Sequence, residues 1–86
     1  MIVTMHVDWF GDGIKEYDDE WKKACEKTDG VKYMGRYVSH QARYHYTYFF
    51  EVDSYDKLME AMNKLGGTRD RNVMTHASLE IFSGPQ

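Results

Sequence analysis

Residues 43–52 read RYHYTYFFEV, and strict alternation divides them into Tyr44, Tyr46, Tyr48 and Phe50 on one side and His45, Thr47, Phe49 and Glu51 on the other. Alternation with period two is the pattern of a β-strand, because successive side chains leave opposite faces of a sheet. The first set is apolar enough to seek a core. The second set places histidine, threonine and glutamate two residues apart and needs water, a ligand or another chain. The first face leads to a fold, the second to a candidate site.

Toward the N-terminus, residues 2–10 (IVTMHVDWF) alternate in the same way, with Val3, Met5, Val7 and Trp9 opposite Ile2, Thr4, His6, Asp8 and Phe10. After GDG the spacing changes to Ile14, Tyr17, Trp21, Ala24, Cys25 and Thr28, one stripe of an amphipathic helix, with Asp12 as N-cap and Asp29-Gly30 as its end. Period two returns from Val31 to Ser39, breaks near Gln41-Ala42, and resumes in RYHYTYFFEV, which predicts a β-hairpin. A second helix begins after Asp53 or Ser54 with an inward face of Tyr55, Leu58, Met59, Met62 and Leu65, closed by Gly66-Gly67. The last strand, NVMTHASLEIF, sets Val73, Ala77, Leu79 and Ile81 against Met74, His76, Ser78, Glu80 and Phe82.

The order βαββαβ with right-handed crossovers gives an α+β domain, a ferredoxin-like antiparallel sheet in spatial order 4-1-3-2 with both helices on one face. Val3, Met5, Val7, Tyr44, Tyr46, Tyr48, Phe50, Val73, Ala77, Leu79 and Ile81 are expected beneath them. The opposite face is open. It is expected to carry Thr4, His6 and Asp8 beside His45, Thr47, Phe49 and Glu51, and beside Met74, His76, Ser78, Glu80 and Phe82. The second strand adds Lys32, Met34, Arg36 and Val38 if the hairpin loop is even-numbered, or Tyr33, Gly35 and Tyr37 if it is odd.

At 86 residues the chain is expected to be one domain, residues 1–86. Its net charge of −3, without a basic stripe, argues against nucleic acid, and RYHYTYFF lacks the small residues of an RNA-binding strand. The one cysteine, Cys25, falls on the apolar stripe of the first helix and reads as a buried structural thiol. The first residues lack a basic start and a long apolar run, and no segment approaches the ~20 apolar residues of a membrane span. The expectation is a soluble cytoplasmic protein.

The stretches GVKYMGRYV and YHYTYFFEVDSYDKLMEAM, set in a βαββαβ chain of this size, resemble the dimeric α/β-barrel superfamily, and most of all its small uncharacterised families. The resemblance covers residues 2–82. It implies a homodimer in which two open sheet faces pack together and enclose a pocket. Members include cofactor-independent monooxygenases, muconolactone isomerase-like enzymes, haem-degrading monooxygenases and stress-responsive barrel proteins. No signature motif accompanies the resemblance, so it carries no catalytic residue to this chain.

His6, Asp8, His45 and His76 lie at one level of neighbouring strands and are the candidates for acid/base chemistry. Thr4, Arg36, Thr47, Phe49, Glu51, Met74, Ser78 and Glu80 are the candidate ligand-binding residues around them. The reading is a protein that binds a small organic molecule, with acid/base or cofactor-independent monooxygenase-type chemistry and no cofactor. Three alternatives stay open. The histidines could hold a metal or haem, since three imidazoles on adjacent strands can ligate Zn, Cu or Fe. They could be polar filler in a dimer interface, or the protein could be a noncatalytic metabolite-binding or assembly protein.

Overall fold

The computed structural model describes residues 1–40, 45–65 and 74–85, of which residues 74–78 by their backbone alone. The chain runs β1 (Ile2–Trp9), α1 (Ile14–Glu26), β2 (Val31–Val38), β3 (Tyr46–Val52), α2 (Tyr55–Met62) and β4 (Met74–Phe82). The strands form one antiparallel sheet of order β2-β3-β1-β4, the expected 4-1-3-2 read from the other edge. This α+β arrangement is compatible with a ferredoxin-like fold. No helix among the described residues is long and apolar enough to cross a membrane.

One core joins the sheet to both helices. Val3, Met5, Val7, Trp9, Tyr48, Phe50 and Val52 of the sheet are buried with Tyr17, Trp21, Ala24 and Cys25 of α1 and Leu58 and Ala61 of α2. Aromatic rings fill its centre. Trp21 packs 4.6 Å from Phe50 between ring centroids, and Tyr17 meets Tyr48 edge-on at 5.7 Å, geometries that suit the ring quadrupole. The apolar stripe of α1 is buried from Tyr17 to Cys25 as its spacing requires, with Ile14 half-buried at its start, and Thr28 is drawn in because its hydroxyl donates to the Ala24 carbonyl at 2.9 Å.

Several expectations fail at the edges of this core. Gly13, in the left-handed conformation, occupies the N-cap of α1 in place of Asp12. On α2, Ala61 takes a buried position while Tyr55 at the first turn stays exposed. Ile81 is exposed as well, because β4 is an edge strand and Ile81 lies near its end. Tyr46 does pack against the core as expected, but only half-buried at the start of β3, where the Arg36 guanidinium lies 4.5 Å above its ring. Tyr44, Val73, the turn at Gln41-Ala42 and Gly66-Gly67 fall outside the described residues, as does the side chain of Ala77.

The second strand takes neither anticipated phase throughout. Its pairing with β3 runs Lys32 to Glu51 and Tyr33 to Phe50, then jumps to Gly35 with Phe49, Arg36 with Tyr48 and Tyr37 with Thr47. The shift is a β-bulge that sets two residues, Met34 and Gly35, against one. Gly35 has φ +117, a conformation that suits glycine and permits the extra residue. Before the bulge the even-numbered residue Lys32 shares the face of Glu51. After it the odd-numbered Gly35 and Tyr37 share the face of Phe49 and Thr47.

Arg36 is thereby turned to the helix side and is not on the open face. Its Nε donates to both carboxylate oxygens of Asp18 on α1, at 3.0 and 2.8 Å, and the Tyr48 hydroxyl donates to the same carboxylate. Burial acts to lower the Arg36 pKa, but the hydrogen bond and charge of Asp18 outweigh it and hold the guanidinium protonated. Burial first, and then Asp18, push the Tyr48 hydroxyl far above the ordinary phenol range. The three groups clamp α1 to β2 and β3 at a half-buried site.

Candidate functional site

The uncovered face of the sheet holds a concavity of about 660 Å³. Thr4 and His6 of β1, Thr47 and Phe49 of β3, and Glu80 and Phe82 of β4 form its floor and one wall. Met34, Tyr37 and Val38 of β2, with Ser39 and His40 just beyond it, form the other. The bulge makes this wall possible, because it brings Tyr37 onto the face, where its ring meets Phe49 edge-on at 5.2 Å.

His6 occupies the middle. Its strand lies between β3 and β4, so its neighbours come from both sides: Thr47 directly across one ladder, and Glu80 diagonally across the other, opposite Thr4. Diagonal partners are within reach of a long side chain. The His6 Nε2 lies 2.8 Å from Glu80 Oε1 and 3.4 Å from Thr4 Oγ1, while Nδ1 lies 3.0 Å from Thr47 Oγ1. A carboxylate only accepts, so Nε2 carries the hydrogen that it donates to Glu80. In the neutral ring Nδ1 is then the acceptor for the Thr47 hydroxyl.

The chain of bonds continues one step further. Ser39 Oγ lies 2.8 Å from Thr47 Oγ1. With the Thr47 hydrogen directed at His6, the Ser39 hydroxyl donates to Thr47. Thr47 is buried and Ser39 is half-buried, so four side chains connect in series: Glu80, His6, Thr47 and Ser39. The Glu80 side chain is 57% exposed, and a hydrogen bond so solvated contributes about 1 kcal/mol or less to stability. Its stronger effect is to fix the orientation and tautomer of the His6 ring.

Of the other candidates, His45 stands apart. It precedes β3, and its backbone is held by Val7 and Ser39, its N–H donating to the Val7 carbonyl at 3.1 Å and its carbonyl accepting from Ser39 N–H at 3.1 Å. Its Nδ1 lies 3.0 Å from the Trp9 backbone nitrogen and 2.9 Å from the Trp9 carbonyl, and its ring meets Phe10 edge-on. His45 therefore caps the end of β1 instead of joining His6. Asp8 pairs in register with His76 next to an irregularity between Asp8 and Trp9, one pleat beyond His6. Glu51 is exposed at the far end, opposite Ile2 and Lys32. The side chains of Met74, His76 and Ser78 lie outside the described residues; the Ser78 backbone pairs with His6. Among the described residues no three His, Cys, Asp or Glu side chains come together so as to hold a metal ion.

Ser39 and Tyr37 join the site although the period-two reading named neither as a candidate binding or catalytic residue. The odd-numbered phase of the second strand, 35-37-39, is the signal that points to them. Compared with known proteins, the chain matches no family model and no curated protein sequence.

Proposed function

We propose that the protein binds a small organic molecule in this concavity, and that two copies pair through their open sheet faces to cover it, as in a dimeric α/β barrel. The observation that carries the reading is a concavity of about 660 Å³ with an oriented imidazole at its centre and aromatic walls. Small-molecule sites commonly occupy roughly 300 to 1,000 Å³ and combine apolar walls with few, well-placed polar groups. Pairing is favoured by the rim, where Met34, Tyr37, Val38 and Phe82 are 40, 55, 62 and 51% exposed. Such a cluster of apolar groups is buried more comfortably against a second copy. Acid/base chemistry by His6 is the catalytic form of this proposal.

Two measurements test it together. Sedimentation equilibrium should return twice the monomer mass, and the His6→Ala variant should remain a folded dimer while losing affinity for small aromatic or acyl probes that raise the melting temperature of the parent. A monomer at micromolar concentration defeats the pairing. A parent protein that no probe of a broad panel stabilises defeats the binding site.

A further inference from the structure

Both ring nitrogens of His6 are engaged, Nε2 by Glu80 and Nδ1 by Thr47. A ligand therefore meets the basicity of His6 through the hydroxyls that lead away from it. The outlet is Ser39. Its oxygen is the end of the series, it is less deeply buried than Thr47, and it lines the concavity beside Met34 and Tyr37. A hydroxyl in contact with a base that a third group orients is the arrangement that activates a nucleophile, and here one extra hydroxyl is interposed.

We propose that Ser39 is an acyl-accepting nucleophile, activated by a proton relay through Thr47 to His6 and Glu80, for esters or thioesters with an apolar acyl group. This rests on the reading of the concavity as a ligand site. Ser39 Oγ forms a bond to the carbonyl carbon while its proton passes to Thr47 Oγ1 and the Thr47 proton passes to His6 Nδ1. The imidazolium so formed faces the Glu80 carboxylate. The carbonyl π pair moves onto oxygen, then returns as the bond to the leaving alkoxide or thiolate breaks. That group takes up the proton held by the relay and departs as alcohol or thiol. Water repeats the sequence on the acyl-Ser39 ester, the relay first accepting its proton and then returning it to Ser39, and a carboxylic acid is released. Phe49, Phe82 and Tyr37 supply the apolar wall for the acyl chain.

The experiment incubates the full chain with p-nitrophenyl butyrate and octanoate, follows nitrophenolate release, and maps any acyl adduct by mass spectrometry of peptides. Acylation on Ser39 is expected, lost in Ser39→Ala. It should slow at least about a hundredfold in Thr47→Val, which keeps the side-chain shape but cuts the relay, as for loss of a general base. Glu80→Gln, which leaves the ring a hydrogen-bond partner without the charge, should slow it as well. Adducts confined to lysines, histidines or Thr47, or release unchanged in Ser39→Ala, overturn the proposal. Binding of the non-reactive octanoyl anilide, read by NMR, separates the two levels. An anilide that binds without any ester acylating Ser39 overturns the nucleophile and leaves the binding site standing, whereas an anilide that does not bind, with no acylation, removes both.

Discussion

Tyr48 and Phe49 are adjacent in sequence and opposite in circumstance. Tyr48 is buried among Tyr17, Tyr33 and Phe50 with its hydroxyl on Asp18, while Phe49 lies on the open face beside Tyr37. Truncating a buried ring costs about 3 to 5 kcal/mol, so Tyr48→Ala should lose that much in urea unfolding and Phe49→Ala far less. Tyr48→Phe should cost about 1 to 2 kcal/mol, since it removes a charge-assisted hydrogen bond while the Arg36 guanidinium stays on Asp18. A larger loss for Phe49→Ala than for Tyr48→Ala would mean that the faces are reversed.

Cys25 gives a pH dependence at the same scale. Burial, with a smaller contribution from Glu26, raises its thiol from about 9 to about 11. Below the lower value both folded and unfolded chains keep the proton, and the contribution to stability is fully present. Between the two values only the unfolded chain releases it, so stability falls with rising pH by up to about 2 to 3 kcal/mol in total. Urea midpoints measured from about pH 8 to about pH 11 should decline, and the decline should be shallower in Cys25→Ala. It should not vanish, because burial and Asp18 also raise Tyr33, to about 12. A slope identical in the two proteins would show that the Cys25 thiol is not its source.

At the scale of elements, regular periodicity was legible and interruptions were not. The stripe Tyr17, Trp21, Ala24 and Cys25 and the buried sets of β1 and β3 emerge from spacing alone, because a regular helix or strand repeats its geometry. The same spacing puts His6, Thr4, Thr47 and Glu80 on the open face together. Arg36 falls on the helix side because a bulge changes the count within β2, and a one-residue shift exchanges the faces. His45 departs from the alternation because it lies before the first residue of β3, where backbone bonds to Val7 and Ser39 and ring contacts with Trp9 and Phe10 replace the pleat. Gly35→Ala tests the bulge. A side chain at φ +117 is strained, so the variant should lose about 1 kcal/mol or more while the core aromatics keep their environment. A neutral substitution would show that the strand tolerates this conformation without glycine.

For the whole molecule, two sides of one sheet carry different kinds of order. The helix side is held by packing and by the Arg36, Asp18 and Tyr48 clamp. The open side holds its polar series on strands fixed from behind, so substitutions there should spare the fold. Stability of His6→Ala and Glu80→Gln by urea unfolding should lie within about 1 kcal/mol of the parent if measured per protomer. A collapse of either would mean that the open face supports the fold.

The extra residue in β2 also makes that strand a reading frame. Ironing the bulge flat with every residue kept would set Met34 against Phe49 and Arg36 against Thr47, delivering a cation to the concavity and Tyr37 to the helices. Losing Met34 or Gly35 outright does the reverse: the pleat becomes regular and Arg36 and Tyr37 keep their sides. Losing Arg36 with the bulge kept would instead swap the sides of Tyr37 and Val38. Adjacent codons of one short strand therefore differ in kind, some dispensable to the frame and others holding both surfaces of the sheet in phase.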